Sequence, residues 1–440
     1  MSKYLVKKCN AMTSNRLKDK LGSMFEQVTE DASGISFHEN FIILKECHFI
    51  KDLDLMLVLN EVQLKNILFT NCLFSESVDM FHSHSDNLYL EIDYDIVFHD
   101  CRFEKKVSFS GLSLKKGISF TLCTFKGDFF VNWSQFGGAF LLSGTTFENK
   151  VSFDGSKFDY IYFFSKMDDH TIFRANVSFS NAEINDARFW NMIFYGDVLF
   201  VNTKFNCPVY FNNTLFTGAL VFGEQGTLGR IEIKESIYLD GAEVKQLSLY
   251  NMVFEHYVSL NNTKIENVDI SNTLFSAQYL SLSGTQIHNV NNEYTARVLK
   301  NEALRGSNGP IALQMKAKEL DFYYCSLGWR KNLFEKFPLW LMKYSNNYGE
   351  DWFRALIFIL CCWVIFFSLF VISRDGFGTI FFWFDISYLK EAINFLWLLN
   401  SSKDIESIRT VGQVLFFLLG KISIAYGIYQ LIAAFRKHGK

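Results

Sequence analysis

Large apolar residues recur through the middle of the chain at alternating steps of five and six. From Phe98 the series runs Phe103, Phe109, Leu114, Phe120, Phe125, Val131, Phe136, Leu142, Phe147, Phe153, Phe158. It returns at Phe179 and Ile184, then at Phe194, Phe200, Phe205, Phe211, Phe216 and Phe222. Earlier, Leu59, Leu64, Phe69 and Phe74 lie five apart; later come Leu239, Val244, Leu249, Phe254, Leu260, Ile265, Ile270 and Phe275. Neither a helix of period 3.6 nor a strand of period 2 gives this spacing. Self-similarity at a fixed step predicts a repeat architecture.

The residue two before each apolar position sharpens the reading. In the five-step it is small, as at Cys101, Cys123, Ser134, Thr145, Ser156, Thr203 and Thr214. In the six-step it is aliphatic, as at Val107, Ile118, Val151, Val198, Val209 and Leu220. Alternation along a short strand puts both on one inward face. Gly127-Asp128, Gly196-Asp197 and Asn212-Asn213 fill the gaps, where turns are expected. The unit is a short strand and a corner, and successive units wind into a solenoid filled with aromatic and aliphatic side chains.

The runs Asn202-Thr203-Lys204-Phe205, Gly196-Asp197-Val198-Leu199-Phe200 and Lys150-Val151-Ser152-Phe153 resemble the pentapeptide-repeat family. The resemblance covers roughly residues 35–292. It implies an all-β, right-handed, quadrilateral parallel β-solenoid. The family coil has four five-residue faces; the alternation here predicts 22 residues per coil. Residues 81–94, 165–172 and 223–236 break the spacing and read as loops. About ten coils remain, roughly 50 Å at one strand spacing each.

The pattern stops near Ile287. Residues 294–325 read as a helical hairpin divided at Gly309-Pro310. Leu299, Lys300, Gly306, Asn308, Ala312, Leu313, Lys318 and Glu319 resemble the hairpin of membrane-anchored pentapeptide-repeat proteins, and Ser345 to Gly349 with Trp352 and Arg354 resembles their entry into the membrane. Ala355–Ser373 holds no charge and is long enough to span hydrocarbon. Val411–Phe435 is a second span, apolar except for Lys421. Between them, Phe381 to Phe384 suit an interfacial belt. Ala392–Leu399 is too short to cross, so it is either re-entrant or a surface helix. The order of span, short helix, loop and span is that of two-span channels, and some pentapeptide-repeat proteins carry such a tail. The potassium filter Thr-Val-Gly-Tyr-Gly is absent after Leu399. The layout points to an oligomeric membrane domain without potassium selectivity.

This divides the chain into an N-terminal cap (1–34), the solenoid (35–292), a helical linker (293–345) and a transmembrane domain (346–440). Charge follows the division. Residues 1–34 carry 6 basic and 4 acidic groups, residues 35–292 carry 19 and 30, and residues 293–440 carry 18 and 12. The N-terminus lacks the apolar core of a signal peptide. Arg330, Lys331, Lys336, Lys343 and Arg354 precede the first span, and Arg436, Lys437 and Lys440 follow the second. The positive-inside rule then places both termini and the solenoid in the cytoplasm. With the family resemblance, that membrane is a bacterial inner membrane.

Chemistry is sparse. Nine cysteines form no disulfide-like framework. Cys47, Cys72, Cys101 and Cys123 sit two residues before an apolar position and read as small buried hydrophobes. His82 and His84 with Asp79 and Asp86 look like metal ligands, but His-x-His in a polar loop is usually solvated. Asp168, Asp169 and His170 read as exposed loop, and Asp93 and Asp95 need no chemistry. No phosphate loop, His-Glu-x-x-His, Cys-x-x-Cys or nucleophile elbow occurs. The expectation is no catalytic, metal or cofactor site. Lys421 is the one polar oddity, since a lysine at the bilayer centre costs roughly 2.5–3.5 kcal/mol. It either lines a pore, pairs with a partner, or snorkels from a shifted helix.

Two function classes follow. The first is a membrane-anchored binding scaffold or sensor, with a protein partner on the solenoid and a homo-oligomeric, pore-like membrane domain. The second is a nucleic-acid mimic that binds a topoisomerase through the acidic solenoid, as some soluble pentapeptide-repeat proteins do. Direct nucleic-acid binding is not expected.

Overall fold

The computed structural model describes residues 35–37, 41–54, 66–79, 90–164, 169–224, 230–275, 280–376, 386–396 and 410–435. The N-terminal segment 1–34, Leu59, Leu64, His82, His84, Asp86, Asp168, Phe381 to Phe384 and the basic C-terminus lie outside them. Two compact units divide the chain, Met1–Asn291 and Asn292–Lys440.

The first unit is a parallel β-solenoid of about 10 turns. Its strands are mostly two or three residues long, as at Arg102–Phe103, Thr124–Phe125 and Thr146–Phe147. Each coil pairs with the next in register: Phe103 lies over Phe125 and Phe125 over Phe147, a step of 22 residues each time. Every described residue of the apolar series is buried. The register turns that series into columns. Phe49, Phe74, Phe103, Phe125, Phe147, Phe173, Phe194 and Phe216 stack nearly parallel, with centroids 4.5 to 5.1 Å apart. Val244, Ile265 and Ile287 continue the same column. One spacing, set by strand pairing, thus sets the ring spacing too.

The small residues two before each ring do more than leave room. Thr145 Oγ1 donates to the carbonyl of Phe120 (3.0 Å), Thr214 to Phe189 (3.0 Å), Ser134 Oγ to Phe109 (2.8 Å) and Thr263 to Leu239 (2.8 Å). Each bond joins a coil to the one before it and satisfies a buried hydroxyl. Cys72, Cys101 and Cys123 occupy the same position with longer thiol bonds to Leu44, Phe69 and Phe98. The neighbouring thiols and burial raise the Cys101 thiol above its ordinary value, whereas hydrogen bonding to Cys101 and Cys47 lowers that of Cys72.

Corners are made by two devices. The residue just before the small one is left-handed: Asn71, Asn202, Asn213 and Asn262 have φ of 53 to 55°. Asparagine tolerates that region better than most residues. Gly127 and Gly196 lie in bends between strands, as expected, but glycine is needed there for a reason other than conformation. Neither is among the positive-φ glycines. A Cβ at Gly127 would meet the Lys105 backbone carbon at 2.2 Å, and one at Gly196 the Ala175 carbon at 2.3 Å. Glycine is required there because adjacent coils approach backbone to backbone.

The three breaks are narrower than the spacing indicates. Leu90–Ile92, Ile172–Phe173 and Ile231–Ile233 are ladder strands paired in parallel to neighbouring coils. The insertions only lengthen the path: Phe147 pairs with Phe173 after 26 residues and Phe216 with Val244 after 28. The one antiparallel pairing among the described residues sets Ile35–Phe37 against Phe41–Lys45.

The second unit holds six described helices: α1 (Glu293–Arg305), α2 (Gly309–Ser326), α3 (Leu333–Asn346), α4 (Trp352–Asp375), α5 (Ile386–Leu396) and α6 (Val411–Phe435). The expected hairpin is α1 and α2. Asn292 and Asn308 cap them, and Pro310 occupies the first turn of α2. Glu319 on α2 accepts from Arg297 (2.9 Å) and Lys300 (2.6 Å) on α1. Burial pushes the Glu319 carboxyl up, but these hydrogen bonds outweigh it and hold the group below its usual range. A carboxyl depressed on folding contributes stability above its unfolded pKa and loses it as pH falls through the folded one. The hairpin should therefore weaken in acid, at and below the ordinary value of 4.5. Comparing melting temperatures at neutral and acid pH tests this: Glu319→Gln should lose part of the acid sensitivity, and an unchanged slope would contradict the assignment.

Candidate functional site around Lys421

Helices α4 and α6 are long and apolar enough to cross a membrane. Asp351 opens α4 by accepting from the amides of Phe353 and Arg354. Thr410 and Gln413 open α6 reciprocally, each side chain bonding the other's amide. The two helices run antiparallel through small residues on α6. A Cβ on Gly412 would lie 3.2 Å from Ser373 Oγ, one on Gly420 2.9 Å from Phe366 Cβ, and one on Gly427 2.5 Å from Ile359. These glycines let the backbones close.

The short helix α5, Ile386–Leu396, starts before the expected Ala392–Leu399 and packs against this pair. Near its start, Tyr388 Oη donates to Asp375 (3.2 Å), and Arg374 bonds Glu391 (2.9 Å), both at the C-terminal end of α4. Further on, Trp363 Nε1, midway along α4, donates to the carbonyl of Ala392 at 2.7 Å. Phe395 then packs against Phe367, Phe370 and Phe417 at 5.6, 5.9 and 5.8 Å. So α5 runs back beside α4 from its end toward its middle. At 11 residues it is about 16 Å long.

Lys421 meets α5 near Leu396, its last described residue. Its Nζ donates to the carbonyl of Phe395 at 2.7 Å and lies 5.2 and 5.3 Å from the centroids of Phe395 and Phe417. Lys421 is thus placed on a backbone partner within its own chain. Sequence reasoning singled out Lys421 but missed Trp363 and the Phe395 carbonyl. The short apolar run after Glu391 was the available signal.

At the other end of the pair, the Ser345 to Gly349 corner is a polar joint. Ser345 and Asn346 are fully buried. Asn346 Nδ2 donates to Gln430 Oε1 (2.5 Å), and its Oδ1 accepts from Gly349 N (2.9 Å). Asn347, Tyr348 and Gly349 are all left-handed, which turns α3 into α4. Tyr348 Oη faces Asp321, which also holds Lys343.

On the solenoid, parallel register builds an outward row that the spacing did not reveal: Leu68, Val97, Ser119, Leu141, Tyr162, Arg188, Tyr210 and Tyr238. Tyr210 and Tyr238 stack at 4.9 Å, and Arg188 lies over Tyr162 and Trp190 at 5.1 and 5.7 Å. Tyr160, Phe164 and Trp190 beside them are exposed. Burial and a 2.6 Å bond to Asp186 push the Tyr162 hydroxyl up to about 12. At its apolar end, the row borders an open groove of about 750 Å³ lined by Leu68, Val97, Leu141, Lys115 and Lys116.

The remaining candidates are dispersed. His170 Nδ1 is 3.0 Å from the carbonyl of Asn191 and exposed; Asp79 and Asp95 sit on ladder strands. Among the described residues no group of three His, Cys, Asp or Glu converges as metal ligands. Comparison with protein-family models, with curated proteins and with solved structures gives no match.

Proposed function

We propose that the chain is a membrane-anchored binding scaffold or sensor of the pentapeptide-repeat type, its right-handed, four-sided rod on the cytoplasmic side of a bacterial inner membrane. One observation carries the anchoring. Helices α4 and α6 leave large apolar side chains exposed, among them Leu360, Ile365, Leu415, Leu418 and Ile422. Only 28% and 22% of their most apolar windows are buried within the chain. A core helix of a soluble protein is covered, and an exposed apolar surface of this extent calls for lipid or further copies of the chain. We read the membrane domain as homo-oligomeric and pore-like, and assign no enzymatic activity.

The outward row around Arg188 supports the scaffold role. Tyrosine, tryptophan and arginine are the residues that carry binding energy in protein interfaces. The mimic reading draws less from this row, which holds tyrosines and an arginine where a nucleic-acid mimic needs carboxylates. Two measurements test the proposal on the full-length chain. It should stay with membranes through carbonate extraction; release would remove the anchor. Affinity capture should recover a protein that is lost when Arg188 and Trp190 are both changed to alanine. Recovery of gyrase, unaffected by those changes, would favour mimicry instead.

A further inference from the structure

We propose that α3 is an interfacial helix: its exposed aromatic face lies on the membrane surface, and the basic turn before it binds anionic lipid headgroups. The inference rests on the membrane reading of α4 and α6 and extends it to a helix that does not itself span. Helix α3 has two unlike faces. Lys336 and Lys343 turn toward α2 and the loop after it. Lys336 Nζ donates to the carbonyl of Leu327 (2.5 Å) and sits over the Tyr324 ring, and Lys343 donates to Asp321 (2.5 Å). About a quarter turn around the helix, Leu333, Phe334, Phe337, Trp340 and Tyr344 recur at helical spacing. The rings of Phe337, Trp340 and Tyr344 follow one another at 5.8 and 5.4 Å. Phe334 is 91% exposed, and Leu333, Phe337 and Tyr344 are exposed as well. A continuous apolar stripe left this open marks an interaction surface.

Continuity with the spans decides what covers it. The last turn of α3 is fixed near the end of α6, through Ser345 to Tyr426 (3.4 Å) and Asn346 to Gln430 (2.5 Å). Close by, where α4 begins and α6 ends, Trp352 stacks on Phe435 at 5.5 Å. Aromatic residues collect at the level where hydrocarbon gives way to headgroups. Helix α3 therefore joins the pair at that level, with its aromatic stripe continuous with a lipid-facing surface. Charge agrees. Arg330 and Lys331, in the turn before α3, are exposed. Glu335, the acid on α3, accepts from Tyr323 (3.1 Å). An aromatic face bordered by arginine and lysine suits the headgroup region of an anionic bilayer.

The test uses full-length chain in vesicles of equal parts phosphatidylglycerol and phosphatidylcholine. The photo-crosslinking residue benzoylphenylalanine replaces Phe334, an exposed ring whose exchange leaves the core untouched, and the adducts are identified by mass. The label should capture lipid, with phosphatidylglycerol favoured roughly fivefold. Adding Arg330→Gln and Lys331→Gln should bring that ratio to about one while lipid capture continues. Capture of protein at this position, from the same chain or a second copy, overturns the proposal. So does a label that captures no lipid, or a lipid ratio that the two glutamine changes leave as it was. Carbonate extraction is scored separately: a chain that stays in the membrane without lipid capture at Phe334 sinks the interfacial helix alone, whereas a chain released by carbonate sinks the membrane reading.

Discussion

Replacing Phe153 with alanine should lower the unfolding free energy by about 3–5 kcal/mol. The ring is fully buried, stacks on Phe179 at 4.7 Å, and meets Phe140, Phe158 and Phe163 edge-on or tilted at 5.5 to 5.9 Å. Neighbouring coils are held in register by backbone ladders on either side, so they cannot collapse into the space left behind. The cost is then transfer plus cavity, with the ring contacts added. Phe130→Ala is the control. That ring faces outward under Lys106, and its loss should cost less than about 1 kcal/mol. Urea melts decide the matter: coincident curves for Phe153→Ala and wild type would show that the column does not hold the rod together.

Gly196→Ala should be nearly as damaging although it adds one methyl. The new carbon would sit 2.3 Å from the Ala175 carbonyl carbon and 2.5 Å from the Asn176 amide nitrogen. Both are backbone atoms fixed by the ladder, so relief requires parting two coils. Overpacking of this kind costs about 1–3 kcal/mol or more. Asn202→Ala, at a left-handed corner of the same coil, loses a bond to Asn181 and takes on an unfavourable φ of 54°, about 1–2 kcal/mol. A thermal melt in which Gly196→Ala matches wild type would mean that the coils are not in backbone contact there.

The solenoid was legible because its inward residues obey a local rule. A ring every five or six residues and a small partner two before it are visible without any long-range information. What those partners do was not legible. That Thr145 bonds Phe120 and Thr214 bonds Phe189 depends on which coil follows which, and on the register between them. The same holds for Gly196, whose neighbour Ala175 is a full coil away. Sequence can flag a glycine but cannot separate a left-handed turn from a close approach. The outward row around Arg188 escaped for a related reason. Its members are one coil apart, and the insertions that shift the step from 22 to 26 and 28 hide their alignment. In the helical unit, length and hydropathy identified α4 and α6. Lys421 stood out as a charge in an apolar run, yet one of its partners is a backbone carbonyl, which no residue type announces.

Those unequal steps separate what must persist in this chain from what is free to vary. Coil-to-coil pairing constrains only the strands and the corners beside them, so a coil can take up four or six additional residues and hand the ladder on intact. Surface length is decoupled from interior order. Segments at such points can be lengthened, exchanged or lost without redesigning the stack of rings, so the solenoid's surface can diverge while its interior stays the same.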